Sequence, residues 1–339
     1  MEEIAHRVYY LQSDKSGIRW YNVGLIREVR DIIDTAGVHI LNCQLHRTLP
    51  IGVAAASWSK RKPEVISSIH GLGGGDSWQR RLQNRIWHRR VFRIVAVSEA
   101  VRKDVLKSNP AIFPEKVVVI HNGLRIDAFE SRSDHPRKDA DAEVHYGTVG
   151  RLSSVKNQAM LIRSFHRVIK CGLSARLFIA GTGELEAELR TLVHRLEIGE
   201  RVHFLGYRRD IPDLLKSWDV FVFPSLREGM PLALLEAMAS ELPVIAAKVG
   251  GIPEIISTKS IGKLIDPENE QEMVEAMVSM GRKSSSERRV IGRNARQHIL
   301  LYFSSEIMTQ KYVELYTNAY EKWITKKNLV DHNNNSIFV

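Results

Sequence analysis

Cysteine is nearly absent. The 339 residues contain only Cys43 and Cys171, far apart and without the spacing of a metal site. A disulfide framework and a zinc centre are not expected, and a reducing compartment fits. Long apolar runs are missing too, since none approaches the ~18 residues that a membrane-spanning helix needs. Met1–Arg7 is polar and carries Glu2 and Glu3, so it lacks the basic and apolar regions of a signal peptide. These absences predict a cytoplasmic chain. No repeat of solenoid period occurs. No helix-turn-helix, zinc-finger or RNA-recognition signature accompanies the net charge of +10, so nucleic acid is not the expected partner.

What is present suits a globular protein. The length allows roughly two domains of about 150 residues, and the 44% apolar share can build real cores. Charge is concentrated. Residues 58–93 hold nine Lys and Arg against Glu64 and Asp76, which is seven of the ten net charges. Such a segment points to an anionic partner, whether phosphate or a membrane surface.

Short β-branched runs alternate with helical patterns, the grammar of parallel sheets flanked by helices. Strands are predicted at Arg7–Leu11, Val38–Cys43, Val65–His70, Ile94–Ser98 and Val117–His121 in the first half. In the second half they fall at Val144–Val149, Ala175–Ala180, Val202–Leu205, Val220–Pro224 and Pro243–Ala246. The organisation read from this is a first domain over 1–130, a polar linker over 131–143 and a second domain over 144–303. A C-terminal helix over 304–325 and an Asn-rich flexible tail over 326–339 complete it.

Four second-half segments carry chemistry. The strand ending at Gly150 is followed by Arg151 and Lys156, at the carboxyl end of a strand, where α/β sheets bind ligands. Two cations there can neutralise a diphosphate, although two ordinary exposed cations would look alike. Gly181 and Gly183 flank Thr182 in a turn that lets backbone approach a ligand or simply turns the chain. The strand Val220–Pro224 leads to Glu228, Gly229, Met230 and Pro231. Pro231 suits the first turn of a helix whose N–H groups at Leu232 and Ala233 can face an anion. Glu236 lies about a turn further on. Carboxylates beside a phosphate site make sense as acceptors for sugar and ribose hydroxyls. The loop Val249–Ile255, with Gly250, Gly251 and Pro253, shapes the same edge or turns the chain.

In this order, GRLSSVKN, AGTGELEAEL, VHFLGY, DVFVFPSLREGMPLALLEAMA and PVIAAKVGGIPEII resemble the C-terminal domain of glycosyltransferase family 4, the group 1 glycosyltransferases. The resemblance implies the α/β GT-B fold, with two Rossmann-like doubly wound domains facing a cleft. It also implies retaining hexosyl transfer from a nucleotide-sugar, UDP- or GDP-linked, without a cofactor or a required metal. Arg151 and Lys156, beside Gly150 and Gly181, would hold the donor diphosphate. Glu236 would bind the ribose, and Tyr207 would lie by the nucleobase. Glu228, with Gly229, Met230, Pro231 and Leu232, would hold the transferred sugar.

In the first half, Val65–Gly71 resembles the strand ending in the family's active-site histidine, making His70 the candidate beside acceptor and sugar. Asn122 and Gly123 would shape the cleft-side end of a strand. The family's opening strand, Gly-rich loop and helix have no counterpart before Val38, so the N-terminal domain is expected to lack one or two β–α units. The reading is an enzyme that glycosylates a glycan or lipid-linked acceptor in cell-surface polysaccharide or lipopolysaccharide biosynthesis. The other reading is a non-catalytic partner of such an enzyme.

The basic segment Ser77–Arg93 keeps three readings: a helix on an anionic membrane surface, an acceptor-phosphate site, or a solvated face. Trp78, Leu82 and Ile86 form its apolar stripe, with Arg85 and Arg89 on the same side.

Overall fold

The computed structural model describes residues 8–11, 22–44, 48–73, 78–129 and 142–335. They fall into two compact units. One comprises Met1–Ile120 with Gln310–Val339, and the other His121–Thr309. The second unit therefore begins at His121 and not at 144. Of the expected linker, only Ala142 and Glu143 are described.

The first unit holds a four-stranded parallel sheet of β1 (Ile40–Gln44), β2 (Glu64–Ile69), β3 (Arg93–Ala96) and β4 (Val117–Val119), in that order. All six residues of β2 are buried, the pattern of an inner parallel strand. The helix Val23–Ala36 precedes β1. Its Asn22 side chain accepts the Leu25 N–H, and Gly37 ends it at φ 70°, a conformation glycine adopts without strain. The predicted strand Arg7–Leu11 does not form. Among the described residues Val8–Leu11 is in no strand, and its side chains are exposed, as suits a segment outside a sheet. Arg7 lies outside the described residues.

The C-terminal helix runs Ser305–Asn335, past its expected end, because no Gly or Pro interrupts it. The expected tail is thus helical through Asn335, and 336–339 lie outside the described residues. From Gln310 this helix belongs to the first unit. There the Trp323 indole N–H donates to the Arg61 carbonyl at 2.9 Å and its ring packs 4.3 Å from His39. The Tyr316 hydroxyl accepts from Asn42 at 2.9 Å.

The second unit has six parallel strands: β5 (Val144–Val149), β6 (Ala175–Ala180), β7 (Val202–Gly206), β8 (Val220–Phe223), β9 (Val244–Ala247) and β10 (Lys263–Ile265). Their order is β10-β9-β8-β5-β6-β7. From β5 the chain winds outward through β6 and β7, then returns to lay β8 on the other side. The sheet is doubly wound, and its switch point lies between β5 and β8. Three-residue β10 was too short to show in the sequence.

A glycine in the middle of β5 has a packing cause. Gly147 is level with Phe178 of β6 and Phe221 of β8. The buried Trp218 ring lies over Gly147 and stacks with both phenylalanines at 6.4 and 6.5 Å. A Cβ at Gly147 would fall 1.9 Å from the indole. Overpacking of this kind typically costs 1–3 kcal/mol, so Gly147→Ala is expected to lose about 2 kcal/mol in urea denaturation. An unchanged midpoint would refute the close approach.

Candidate functional site

The two richest motifs meet at the switch point. The segment after β5 makes a short 3-10 turn, Ser154–Lys156, and Asn157 takes a left-handed conformation before the helix Gln158–Lys170. That turn aims Lys156 across the strand ends. Lys156 Nζ lies 2.6 Å from Glu228 Oε1, which follows β8. The ammonium also sits 4.9 Å from the centre of the Phe223 ring, a cation–π contact. A backbone bond from Leu226 N–H to the Val155 carbonyl, 2.8 Å, ties the two loops together. The stem of Lys156 passes beside Gly150, where a Cβ would stand 3.6 Å from it.

Gly181 supports this loop from below. Its φ is +135°, and a Cβ there would be 2.0 Å from the Gly150 carbonyl oxygen. Contact of backbone with backbone is what requires glycine at 181, as at Gly183, whose Cβ would meet the Leu152 carbonyl at 2.2 Å. Arg151 is exposed, and its guanidinium has no partner among the described residues. It is free to meet an anion, whereas Lys156 is held by a carboxylate.

The helix Leu232–Ala239 starts at Pro231 with no side-chain cap, so its first N–H groups are open for an anion. Met230 and Pro231 are buried and Leu232 is half exposed. Asn122 belongs to this unit, not to the first. Its side-chain amide donates to the Met230 carbonyl at 2.8 Å and braces the loop. The loop Val249–Ile255 braces it as well, through Gly251 N–H to the Gly229 carbonyl at 3.0 Å. Phe223 is not among the residues the sequence singles out, whereas Asn122 and Gly251 are, and the fold uses both as braces of this loop.

Glu236 sits on the second turn of that helix. It is partly buried, and burial pushes its carboxyl pKa upward. No cation or donor among the described residues offsets this. Tyr207 stands apart from these groups in character. It is 71% exposed, following Gly206 at φ 65°. Among the described residues, no group of three or more His, Cys, Asp or Glu could hold a metal ion.

In the first unit, His70 follows β2 and its Nε2 lies 2.5 Å from Gln44 Oε1, at the end of β1. The amide oxygen can only accept, so Nε2 carries the proton and Nδ1 keeps its lone pair. Burial lowers the pKa, favouring the neutral imidazole. The basic segment forms the helix Trp78–Trp87 and a 3-10 turn, His88–Arg90. Its described side chains divide into two faces. Asn84 and His88 turn inward at 9% and 1% exposure, while Leu82 and Ile86 remain 52% and 50% exposed. Tertiary packing chose the polar pair for the inner face. Trp78 and Arg80 have no described side chain, and Ser77 lies outside the described residues.

The desolvated carboxylate at Glu236 makes a thermodynamic prediction. With its folded pKa raised, the folded state binds this proton more tightly than the unfolded chain does. That contribution is fully present below the ordinary glutamate value and is lost as pH rises through the folded pKa. Glu236→Gln removes the ionised form. The variant is expected to melt higher than the parent at pH 7, with the gap closing near pH 4, below the usual range of about 4.3. A gap of the same size at both pH values would refute the desolvation.

The family described as glycosyl transferases group 1 matches residues 130–298, and glycosyltransferase family 4 matches residues 2–128. An uncharacterized glycosyltransferase of Methanocaldococcus jannaschii, MJ1059, is 32% identical over 158 residues, 45% of this chain and only 39% of its own length. The Escherichia coli UDP-Gal:alpha-D-GlcNAc-diphosphoundecaprenol alpha-1,3-galactosyltransferase is 25% identical over 315 residues, 87% of this chain and 81% of its own. The Anabaena HepE structure, solved with UDP and glucose, superposes with a TM-score of 0.76 at 22% identity, covering 88% of this chain and 84% of HepE. The two Rossmann-like units are those of the GT-B fold, and the chain belongs to the group 1, or family 4, glycosyltransferases.

Proposed function

We propose that the chain is a retaining glycosyltransferase. It would move a hexose from a UDP- or GDP-sugar to a glycan or lipid-linked acceptor in cell-surface polysaccharide or lipopolysaccharide biosynthesis. The observation that supports this best is the Lys156–Glu228 pair across the carboxyl ends of β5 and β8. A cation and a carboxylate at a switch point suit a ligand that has phosphates at one end and hydroxyls at the other. Such an intact pair argues against a non-catalytic remnant.

In this reading Arg151 and Lys156 neutralise the donor diphosphate, assisted by the open N–H groups after Pro231. Glu236 accepts from the ribose hydroxyls, and the gain from those bonds offsets its burial. Glu228 and the backbone from Gly229 to Leu232 hold the sugar, and exposed Tyr207 lies by the base. His70 is the acceptor-side group. The acceptor oxygen bonds to the anomeric carbon as the bond from that carbon to the phosphate oxygen breaks. The departing phosphate, on the same face, takes the acceptor's proton. Charge growing on that phosphate is what Arg151 and Lys156 stabilise.

The acceptor reading also touches the membrane. Among the described residues no helix is long and apolar enough to cross a bilayer. The helix Trp78–Trp87, however, presents Leu82 and Ile86 outward together with Arg81 and Arg85. An outer face that mixes apolar and basic groups suits the surface of an anionic membrane.

Titrating UDP- and GDP-sugars should raise the melting temperature with one donor. Lys156→Ala and Glu236→Ala should each abolish transfer and the donor-induced shift, while circular dichroism stays that of the parent. Full transfer in both variants would overturn the assigned donor site.

A further inference from the structure

A second basic site lies at the other edge of the first sheet. A cavity of about 350 Å³ opens at the amino ends of the strands. Glu64 begins β2, Arg93 begins β3 and Lys116 immediately precedes β4. His70 leaves the opposite end of β2. At 3.3 Å per residue the two edges are roughly 20 Å apart, so this cavity is not the acceptor position assigned to His70.

The cavity's charges are arranged, not merely clustered. Glu64 is 6% exposed and holds two lysines of the C-terminal helix, Lys326 in direct contact and Lys322 at 3.8 Å. Phe92 carries a cation on its ring from each of two elements, Arg93 at 4.7 Å and Lys322 at 4.8 Å. Lys116 is anchored through its ammonium to the Arg89 carbonyl at 3.0 Å. Burial, with the neighbouring Lys322 and Arg93, pushes its pKa down. Arg89 and Arg90 also line the cavity, exposed and with no partner among the described residues. Six cations therefore face two carboxylates, Glu64 and Glu115. Exposed Phe113 stands at the rim.

From this we infer that the cavity is a binding site for a phosphate-class anion, a phosphate or diphosphate monoester, with Arg89 and Arg90 as its open forks. Planar guanidinium groups bind phosphate oxygens in pairs, and a buried carboxylate that pins the lysines preorganises the remaining field. The ligand would bridge the turn His88–Arg90 and the C-terminal helix, both within the first unit. Its source is either a lipid headgroup at a membrane surface or a soluble phosphate. The inference rests on this cavity alone and stands whether or not the donor assignment does.

Full-length protein carrying Arg151→Gln and Lys156→Gln removes the proposed donor contacts. Binding of inorganic pyrophosphate to that variant is measured by calorimetry. Sedimentation with phosphatidic acid vesicles, whose headgroup is a phosphate monoester, against phosphatidylcholine vesicles, is measured in parallel. Adding Arg89→Gln and Arg90→Gln should weaken binding about tenfold or more, the loss of about 1.4 kcal/mol. Loss in the pyrophosphate arm identifies a soluble ligand. Loss in the vesicle arm alone identifies a headgroup, and either supports the site. Because both arginines are exposed, the melting temperature should not move. The inference is overturned if binding of both probes is insensitive to Arg89 and Arg90, or if neither probe binds once Arg151 and Lys156 are replaced.

Discussion

The ion pair between Lys156 and Glu228 is the constraint around which the second unit is arranged. An amine on a four-carbon stem would ordinarily sample many rotamers. Here the Glu228 carboxylate, the Phe223 ring and the Gly150 backbone leave it one direction. The pair exists because the sheet is doubly wound. Only reversal of strand order brings the end of β5 beside the end of β8, although 72 residues separate the partners. A partly buried pair contributes little net stability once desolvation is counted. Under the proposed function its value lies in holding a cation where the donor diphosphate would arrive.

Backbone must come close for this to work, and glycine marks each place. Gly181 lies against Gly150 and Gly183 against Leu152, so the loop bearing Arg151 rests on main chain with no side chain between. The second loop is fixed by the Asn122 amide on the Met230 carbonyl and by Gly251 on Gly229. Rigidity obtained this way leaves the helix N–H groups after Pro231 and the Arg151 guanidinium uncommitted. Glu236 remains the locally unfavourable member, a carboxylate held in protein without a charge partner. Strain of this kind is characteristic of groups kept for binding and not for folding.

Much of the second unit was legible from residues because its signals are local. Runs rich in apolar residues mark β5, β6, β8 and β9, and Pro231 marks a helix start. The pairing of Lys156 with Glu228 was not legible, since linear sequence does not contain strand order. The first unit was harder. Val8–Leu11 has strand composition but no sheet partner, and composition cannot supply one. For the helix Trp78–Trp87 the sequence left membrane, phosphate and solvent readings open, because a stripe shared by apolar and basic residues does not say which face packs inward. The fold buries Asn84 and His88 and leaves Leu82 and Ile86 outside. Nor does contiguity in sequence define the units, because the chain returns to the first unit at Gln310.

The charge distribution, at first a single excess, separates into two devices built on one principle. At the switch point a carboxylate fixes Lys156 while Arg151 stays open. At the far edge of the other sheet a buried carboxylate fixes Lys322 and Lys326 while Arg89 and Arg90 stay open. In each case an acid within the basic site lowers its net charge, which would seem to weaken attraction for an anion. The entropy of the lysines argues the other way. A free lysine must surrender rotamer freedom when it binds, up to about 2 kcal/mol, whereas a pinned one has already done so on folding. The open arginine, whose planar fork loses less per hydrogen bond, is left to make the new contact. A carboxylate in a basic pocket is therefore compatible with anion binding where it fixes a lysine of another element, and Glu228 does this for Lys156 and Glu64 for Lys322 and Lys326.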